Sequence, residues 1–215
     1  MPWIVGVSGA SGTPYAAAVL RALLAAGESV DLVVSRASRL TLLDETGIAF
    51  RDSQWEGDLR EWLSRGADGK PDTFDVDISG VRHWSAGDLA AGPSSGSYAT
   101  KGMLIVPAST AAVAGVALGL SKDLLQRAAS VTLKEGRKLV VAVRETPLNG
   151  QTLRHLVTLD DLGATVVPAS PAFYAGATHI QDLVDFVAGR VLDVAGVEHR
   201  LYRRWKGDLG GARTT

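Results

Sequence analysis

Several stretches of this chain carry residues typed and spaced for chemistry on a phosphate-bearing ligand. The first is Trp3-Ile4-Val5-Gly6-Val7-Ser8-Gly9-Ala10-Ser11-Gly12, passing at once into Thr13-Pro14-Tyr15-Ala16. An apolar run that stops at small residues and continues as a helical pattern reads as a buried strand, a tight turn and a helix N-terminus. Glycines let a ligand approach the backbone, and the unpaired N–H groups of a helix start favour an anion. The spacing is Gly6-x-x-Gly9-x-x-Gly12, not the G-x-G-x-x-G of dinucleotide binders. The second apolar run, Val30–Val34, ends in Ser35-Arg36 with no acid placed for a ribose 2′-hydroxyl. A mononucleotide such as FMN fits this pattern better than NAD. The alternative is an α/β protein whose first turn merely happens to be glycine-rich.

The remaining candidates follow later apolar runs. Pro107-Ala108-Ser109-Thr110-Ala111-Ala112 places a hydroxyl where it caps a helix, and that helix start suits a second anion or a ring edge; a plain N-cap is the simpler reading. Arg127 and Lys134 lie seven apart and share a helix face, either as a solvated basic face or as part of a site. Arg144-Glu145-Thr146-Pro147 follows a strand pattern directly, where charges in an α/β sheet are well placed for a ligand. In Pro168-Ala169-Ser170-Pro171-Ala172-Phe173-Tyr174, two prolines stiffen the segment that presents Tyr174. Arg190 interrupts an otherwise apolar helical face and calls for a carboxylate or a phosphate, since an isolated buried charge is costly. His83, His155, His179 and His199 are scattered without ligand spacing, so no metal site is expected. No nucleophile elbow, P-loop or kinase signature is present.

The elements that must position these residues alternate. Strands are expected over 3–8, 30–34, 81–84, 103–106, 139–143 and 165–167, and helices over 14–26, 37–46, 110–118, 124–133, 151–162 and 180–195. Continuous aliphatic strands separated by helices argue an α/β fold, a flavodoxin-like or Rossmann-like three-layer sandwich with a mainly parallel sheet. Ligands in such sheets sit beyond the carboxyl ends of the strands, where most of the candidates fall. The polar stretch 50–73 reads as a surface excursion. The small-residue stretch 89–101 reads as a loop able to drape over a ligand, and 207–215 as a disordered tail behind a single domain over 1–206.

At 215 residues, 46% hydrophobic and 21% charged, the chain is long enough for one domain with a substantial core. A net charge of −1 gives no reason to expect nucleic acid or an anionic membrane as partner. The absence of cysteine excludes disulfides, thiolate metal sites and a cysteine nucleophile. No signal peptide and no bilayer-spanning apolar stretch stand out, so a cytoplasmic protein is the default expectation.

Taken together, these stretches resemble the flavin prenyltransferases, the UbiX-like enzymes. The matching pieces include Gly6 to Gly12, Ser35-Arg36-Ala37, Glu45-Thr46, Ser94-Ser95-Gly96-Ser97-Tyr98, Pro107-Ala108-Ser109-Thr110, Arg127-Ala128-Ala129 and Leu133-Lys134-Glu135. They continue through Arg144-Glu145-Thr146-Pro147-Leu148, Pro168 to Tyr174, Gly189-Arg190-Val191-Leu192-Asp193 and Arg204-Trp205, in order along nearly the whole chain. The resemblance implies a flavodoxin-like sandwich assembled into a dodecamer, with sites at subunit junctions and no metal. It implies transfer of a dimethylallyl group from dimethylallyl phosphate to N5 and C6 of reduced FMN, with the product serving a UbiD-type decarboxylase. By match of motif, Gly9, Ala10, Ser11, Ser35, Ser109, Thr110, Ala111, Ala112, Arg127 and Arg144 would hold FMN. Lys134, Arg144, Tyr174 and Arg190 would grip the donor phosphate. Ser11 and Glu145 would move protons, Glu45 would line the site, and Trp84 would give an aromatic wall beside the allyl cation. The competing readings are an FMN-dependent decarboxylase of the same fold and a non-catalytic flavin carrier. Such decarboxylases typically rely on a His after the second strand, and Arg36-Ala37-Ser38-Arg39-Leu40 holds none.

Overall fold

The computed structural model describes residues 1–205 and 207. Its centre is a six-stranded, all-parallel sheet in the order β3-β2-β1-β4-β5-β6. The strands are β1 (Trp3–Val7), β2 (Val30–Val34), β3 (Val81–Ser85), β4 (Gly102–Ala108), β5 (Lys138–Val143) and β6 (Thr165–Pro168). Of the two expected topologies, this is the doubly wound dinucleotide-fold order. The order reverses between β1 and β4, which places a crevice at their carboxyl ends.

The helices are α1 (Thr13–Ala25), α2 (Arg36–Thr46), α3 (Trp55–Leu63), α4 (Thr110–Ala117), α5 (Leu124–Lys134), α6 (Gly150–Asp161) and α7 (Ile180–Ala195). Alternate strand residues divide the core into two layers. Val5, Val7, Leu32 and Leu104 pack with α1, α2, α3 and α7. Ile4, Val33, Ile105 and Val141 pack with α4, α5 and α6. Every residue of β1, β2 and β4 is buried, as the continuous apolar runs require.

Two expectations change. The stretch 50–73 is not only a surface excursion, because it contains α3. Phe50, Leu59, Trp62 and Leu63 are buried in the α1 layer, and Leu59, Trp62 and Leu63 share one helical face. The stretch 89–101 does not drape over the carboxyl-end crevice. Arg127 Nε donates to Ser94 O at 3.0 Å, and the Arg137 guanidinium donates to Gly96 O at 2.6 Å and Tyr98 O at 2.8 Å, fixing the segment against α5. Apart from residue 207, the expected tail at 207–215 lies outside the described residues.

Candidate active site at the carboxyl edge of the sheet

The crevice is stitched by Ser8. Its buried Oγ donates to Pro107 O at 2.8 Å and accepts from Ser109 N at 2.7 Å, tying the loop after β1 to the loop after β4. On either side, α2 and α4 begin at Ser35 and Ser109, whose side chains accept from Ser38 N and Ala112 N. Both serines are N-caps, so part of their chemistry is structural. Helix starts leave first-turn N–H groups open, and these two starts face the crevice from either side of β1. Gly9 fits between them because a Cβ there would sit 2.5 Å from Ala37 Cβ. We expect Gly9→Ala to push the loop away from α2, at a cost of about 1–3 kcal/mol. It should lower flavin affinity about tenfold or more together with the melting temperature. Unchanged flavin titration in the folded variant would remove Gly9 from the cradle.

The start of α1 departs from expectation. Gly12 caps it at φ 116°, a left-handed conformation that favours glycine. Its open N–H groups are not left for a phosphate, because Glu45 of α2 already supplies the anion. Glu45 Oε1 accepts from Gly12 N at 2.8 Å, and Oε2 accepts from Thr13 N at 2.8 Å and Thr13 Oγ1 at 2.6 Å. The sequence signal for a phosphate at this helix is therefore satisfied internally, and the ligand anion is left to the starts of α2 and α4.

Next to this cap lies a cavity of about 450 Å³, within the size range of small-ligand sites. Ser11, Glu45 and Arg144 give it a polar side, and Pro14, Tyr15, Ile180, Leu183 and Val184 a largely apolar one. Arg144 follows β5, and its Nε donates to Ser11 O at 3.0 Å. Burial pushes the Tyr15 phenol above its ordinary range, with Arg144 opposing and Glu45 adding to the rise. The wall at Ala67 and Asp68 comes from the excursion after α3, held by Ala67 N donating to Gln181 Oε1 at 2.9 Å. At Gly69 a Cβ would lie 2.3 Å from Glu45 O, so the excursion packs directly on α2. Neither Tyr15 nor this wall was singled out from sequence; Tyr15, two residues into α1 and beside the loop, carried the signal.

The expected residues fall into separate groups. Gly9, Ala10, Ser11, Ser35, Glu45, Ser109, Thr110, Ala111, Ala112, Arg144 and Glu145 share the carboxyl edge. Arg127 is not among the residues lining the cavity described above, and its Nε donates to Ser94 O. Lys134 ends α5, four residues before β5 begins, so it lies at the opposite, amino edge, where it pairs with Glu135. Arg190 is near that edge too, in the other layer. One turn beyond it, Val194 O accepts from the Nζ of Lys138, the first residue of β5. Arg190 is not on the apolar face of α7; its side chain is 49% exposed and pairs with Asp193 at 2.9 Å. Trp84 is likewise not at the cavity. Its indole Nε1 donates at 2.9 Å to buried Asp31, which pairs in register with Arg82, two positions back toward the amino end. The aromatic ring beside Tyr174 is Trp205, edge-on at a centroid distance of 5.8 Å, with Phe186 on another side at 5.7 Å.

Burial alone would raise the Asp193 carboxyl, but hydrogen bonds from Arg204, Tyr202 and His199 bring it down to about 2. A carboxyl held below its unfolded value of about 4 adds stability above that pH and loses it as pH falls. We therefore expect the urea midpoint of the protein to drop between about pH 4 and pH 2, and Asp193→Asn to flatten that part of the curve. An unchanged slope in the variant would show that other carboxylates carry the acid lability.

Comparison with known proteins gives the family. A family model described as Flavoprotein matches residues 1–192. The flavin prenyltransferase UbiX of Streptomyces coelicolor is 90% identical over 215 residues, covering 100% of each chain. The chain belongs to the UbiX flavin prenyltransferases. It is therefore a flavoprotein and a transferase. A crystal structure of AnUbiX (PadA1) in complex with FMN and dimethylallyl pyrophosphate is 32% identical, with a TM-score of 0.80, covering 96% of this chain and 97% of that one. A dodecameric FMN-dependent Ubix-like decarboxylase from Escherichia coli O157:H7 is 36% identical, with a TM-score of 0.80, covering 96% of this chain and 100% of that one. Among the described residues no helix of the enzyme is long and apolar enough to cross a membrane. No group of three or more His, Asp or Glu side chains converges as a metal site among them.

Proposed function

We propose that the enzyme transfers a dimethylallyl group from a dimethylallyl phosphate to reduced FMN, in sites completed by more than one copy of the chain. The observation that carries this reading is the division of the polar residues. The cradle and Arg144 stand at the carboxyl edge, while Lys134 and Arg190 stand toward the amino edge in opposite helix layers. One protomer cannot close these groups around one donor, whereas a symmetric oligomer brings one copy's amino edge against another's carboxyl edge. A dodecamer, as in the Escherichia coli relative, is the assembly we assign.

FMN fits the cradle, with the N-termini of α2 and α4 flanking a loop whose Gly9 leaves no room for a Cβ. Residues Gly9, Ala10, Ser11, Ser35 and Ser109 to Ala112 would hold it, together with Arg144. Bound reduced FMN supplies the electron-rich ring edge that accepts the allyl unit. The chain supplies the rest. Ionising an allylic phosphate creates an anion and a cation together. Lys134, Arg190 and Tyr174 from neighbouring copies, with Arg144, stabilise the departing phosphate. The Tyr174–Trp205 pair would give the aromatic wall beside the developing cation. The apolar wall of Pro14, Leu183 and Val184 excludes water that would quench it. Glu45 is fixed by the α1 cap and lines the site, and Arg144 holds the backbone of Ser11, leaving Ser11 and Glu145 to handle protons. The product serves a UbiD-type decarboxylase, in the cytoplasm.

Anaerobic mixing of the enzyme with reduced FMN and dimethylallyl monophosphate should release one phosphate per flavin consumed. A parallel sample with the pyrophosphate decides the donor by which one gives the faster release. Release of phosphate from the monophosphate and of pyrophosphate from the pyrophosphate both failing, with flavin bound, would sink the transfer reading and leave a carrier.

A further inference from the structure

Asp193 is the centre of a cluster on the outer face of α7. Its Oδ2 accepts from Arg190 Nη1 at 2.9 Å and from the Tyr202 hydroxyl, and its Oδ1 accepts from Arg204 Nη2 at 2.7 Å. The fourth donor is His199 Nε2 at 3.0 Å from Oδ1. Leu201 N donates to His199 Nδ1 at 3.2 Å, so the ring proton of neutral His199 sits on Nε2 and points at the carboxylate. One carboxylate thus ties the helix residue Arg190 to three residues of the strap that follows α7.

The strap lies close on the helix because of Gly189. A Cβ there would be 2.6 Å from the Tyr202 ring and 2.7 Å from His199 Cε1. The Tyr202 ring packs on Phe186 at a centroid distance of 4.9 Å and a tilt of 47°, and Phe186 also contacts Tyr174. Arg204 is the last strap residue Asp193 holds, and Trp205 follows it, edge-on to Tyr174. Two groups assigned to the donor, Arg190 and the Tyr174–Trp205 pair, therefore depend on one acid that itself contacts neither ring. Among the described residues only Nη1 of the Arg190 guanidinium is engaged, so the rest of the fork remains available for a phosphate.

We propose that Asp193 is a positioning residue for the donor site, holding the Arg190 guanidinium in orientation and the strap so that Trp205 stays against Tyr174. This rests on the assignment of Arg190 to the donor phosphate. Asn at 193 keeps the shape but loses the charge and half of the acceptors, so both the guanidinium and the strap loosen.

The test uses the full-length enzyme with reduced FMN and dimethylallyl phosphate. Asp193→Asn should raise the donor KM roughly tenfold to a hundredfold, the scale set by hydrogen bonds to charged groups, while FMN affinity stays as in wild type. Its tryptophan emission should differ from wild type, and the difference should vanish on a Trp205→Phe background. Adding Asp193→Asn to Arg190→Gln should raise the donor KM by less than it does alone, because the acid acts partly through that arginine. Gly189→Ala, which displaces the strap without altering a charge, should reproduce the emission change with a smaller KM effect, and reads the proposal if Asp193→Asn fails to fold. Unchanged emission in both variants, or fully additive KM effects, would overturn the proposal. So would a loss of melting temperature with donor KM untouched, which marks a merely structural cluster. If Arg190→Gln alone leaves the donor KM unchanged, the assignment of Arg190 falls and the proposal falls with it. If Arg190→Gln raises the KM and Asp193→Asn does not, only the proposal falls.

Discussion

Arg144→Gln should leave a folded enzyme whose turnover is lower by about two to three orders of magnitude, the range seen when one preorganised donor to a developing charge is removed. Arg144 stands directly after β5, lines the cavity and donates through Nε to Ser11 O. Among the described residues it is the one cation that both bonds the loop and lines the cavity. The glutamine keeps hydrogen-bonding capacity and loses the charge, so the loss falls on ionisation of the donor. Flavin affinity should fall less, because the starts of α2 and α4 are untouched. A kcat within threefold of wild type would remove Arg144 from the transition state.

The second large effect comes from mixing inactive variants. Lys134→Gln should be as inactive as Arg144→Gln, although the two residues stand at opposite edges of the sheet in one copy. If a site takes Arg144 from one protomer and Lys134 from another, each mixed assembly contains some sites with both residues intact. Unfolding the two variants together and refolding them should restore about a quarter of wild-type activity, since random mixing of equal amounts makes roughly that share of two-copy sites complete. Each variant refolded alone should stay inactive. Failure of the mixture, with mixed oligomers demonstrated by mass, would place the whole site within one protomer.

Much of the fold was legible because it is written in local patterns. Aliphatic runs such as Leu139 to Val143 have no polar alternation, so they announce strands covered on both faces. The places of Gly9, Ser35 and Ser109 were legible for the same reason, since each follows a strand, at the carboxyl edge of the sheet. What escaped was long-range pairing of side chains. Nothing near Gly12 in sequence says that Glu45, more than thirty residues on, fills the anion site of α1. Trp84 sits at the end of a strand, as a site residue would, but its indole turns back to a buried aspartate on the neighbouring strand. Arg190 reads as interrupting an apolar stripe because the helix is apolar over most of its circumference, while its own partner is the acid one turn on. The place of α3 was hidden by the polar residues between Leu59, Trp62 and the rest of the excursion.

If the chain builds a carbon–nitrogen and a carbon–carbon bond between an allylic donor and its flavin, the product must show in the mass of the flavin extracted after anaerobic turnover with reduced FMN and dimethylallyl phosphate. Wild type should yield a flavin heavier than FMN by one five-carbon isoprenyl unit, formed far more slowly by Arg144→Gln. Recovery of FMN alone, from enzyme shown to bind both flavin and donor, would contradict this chemistry.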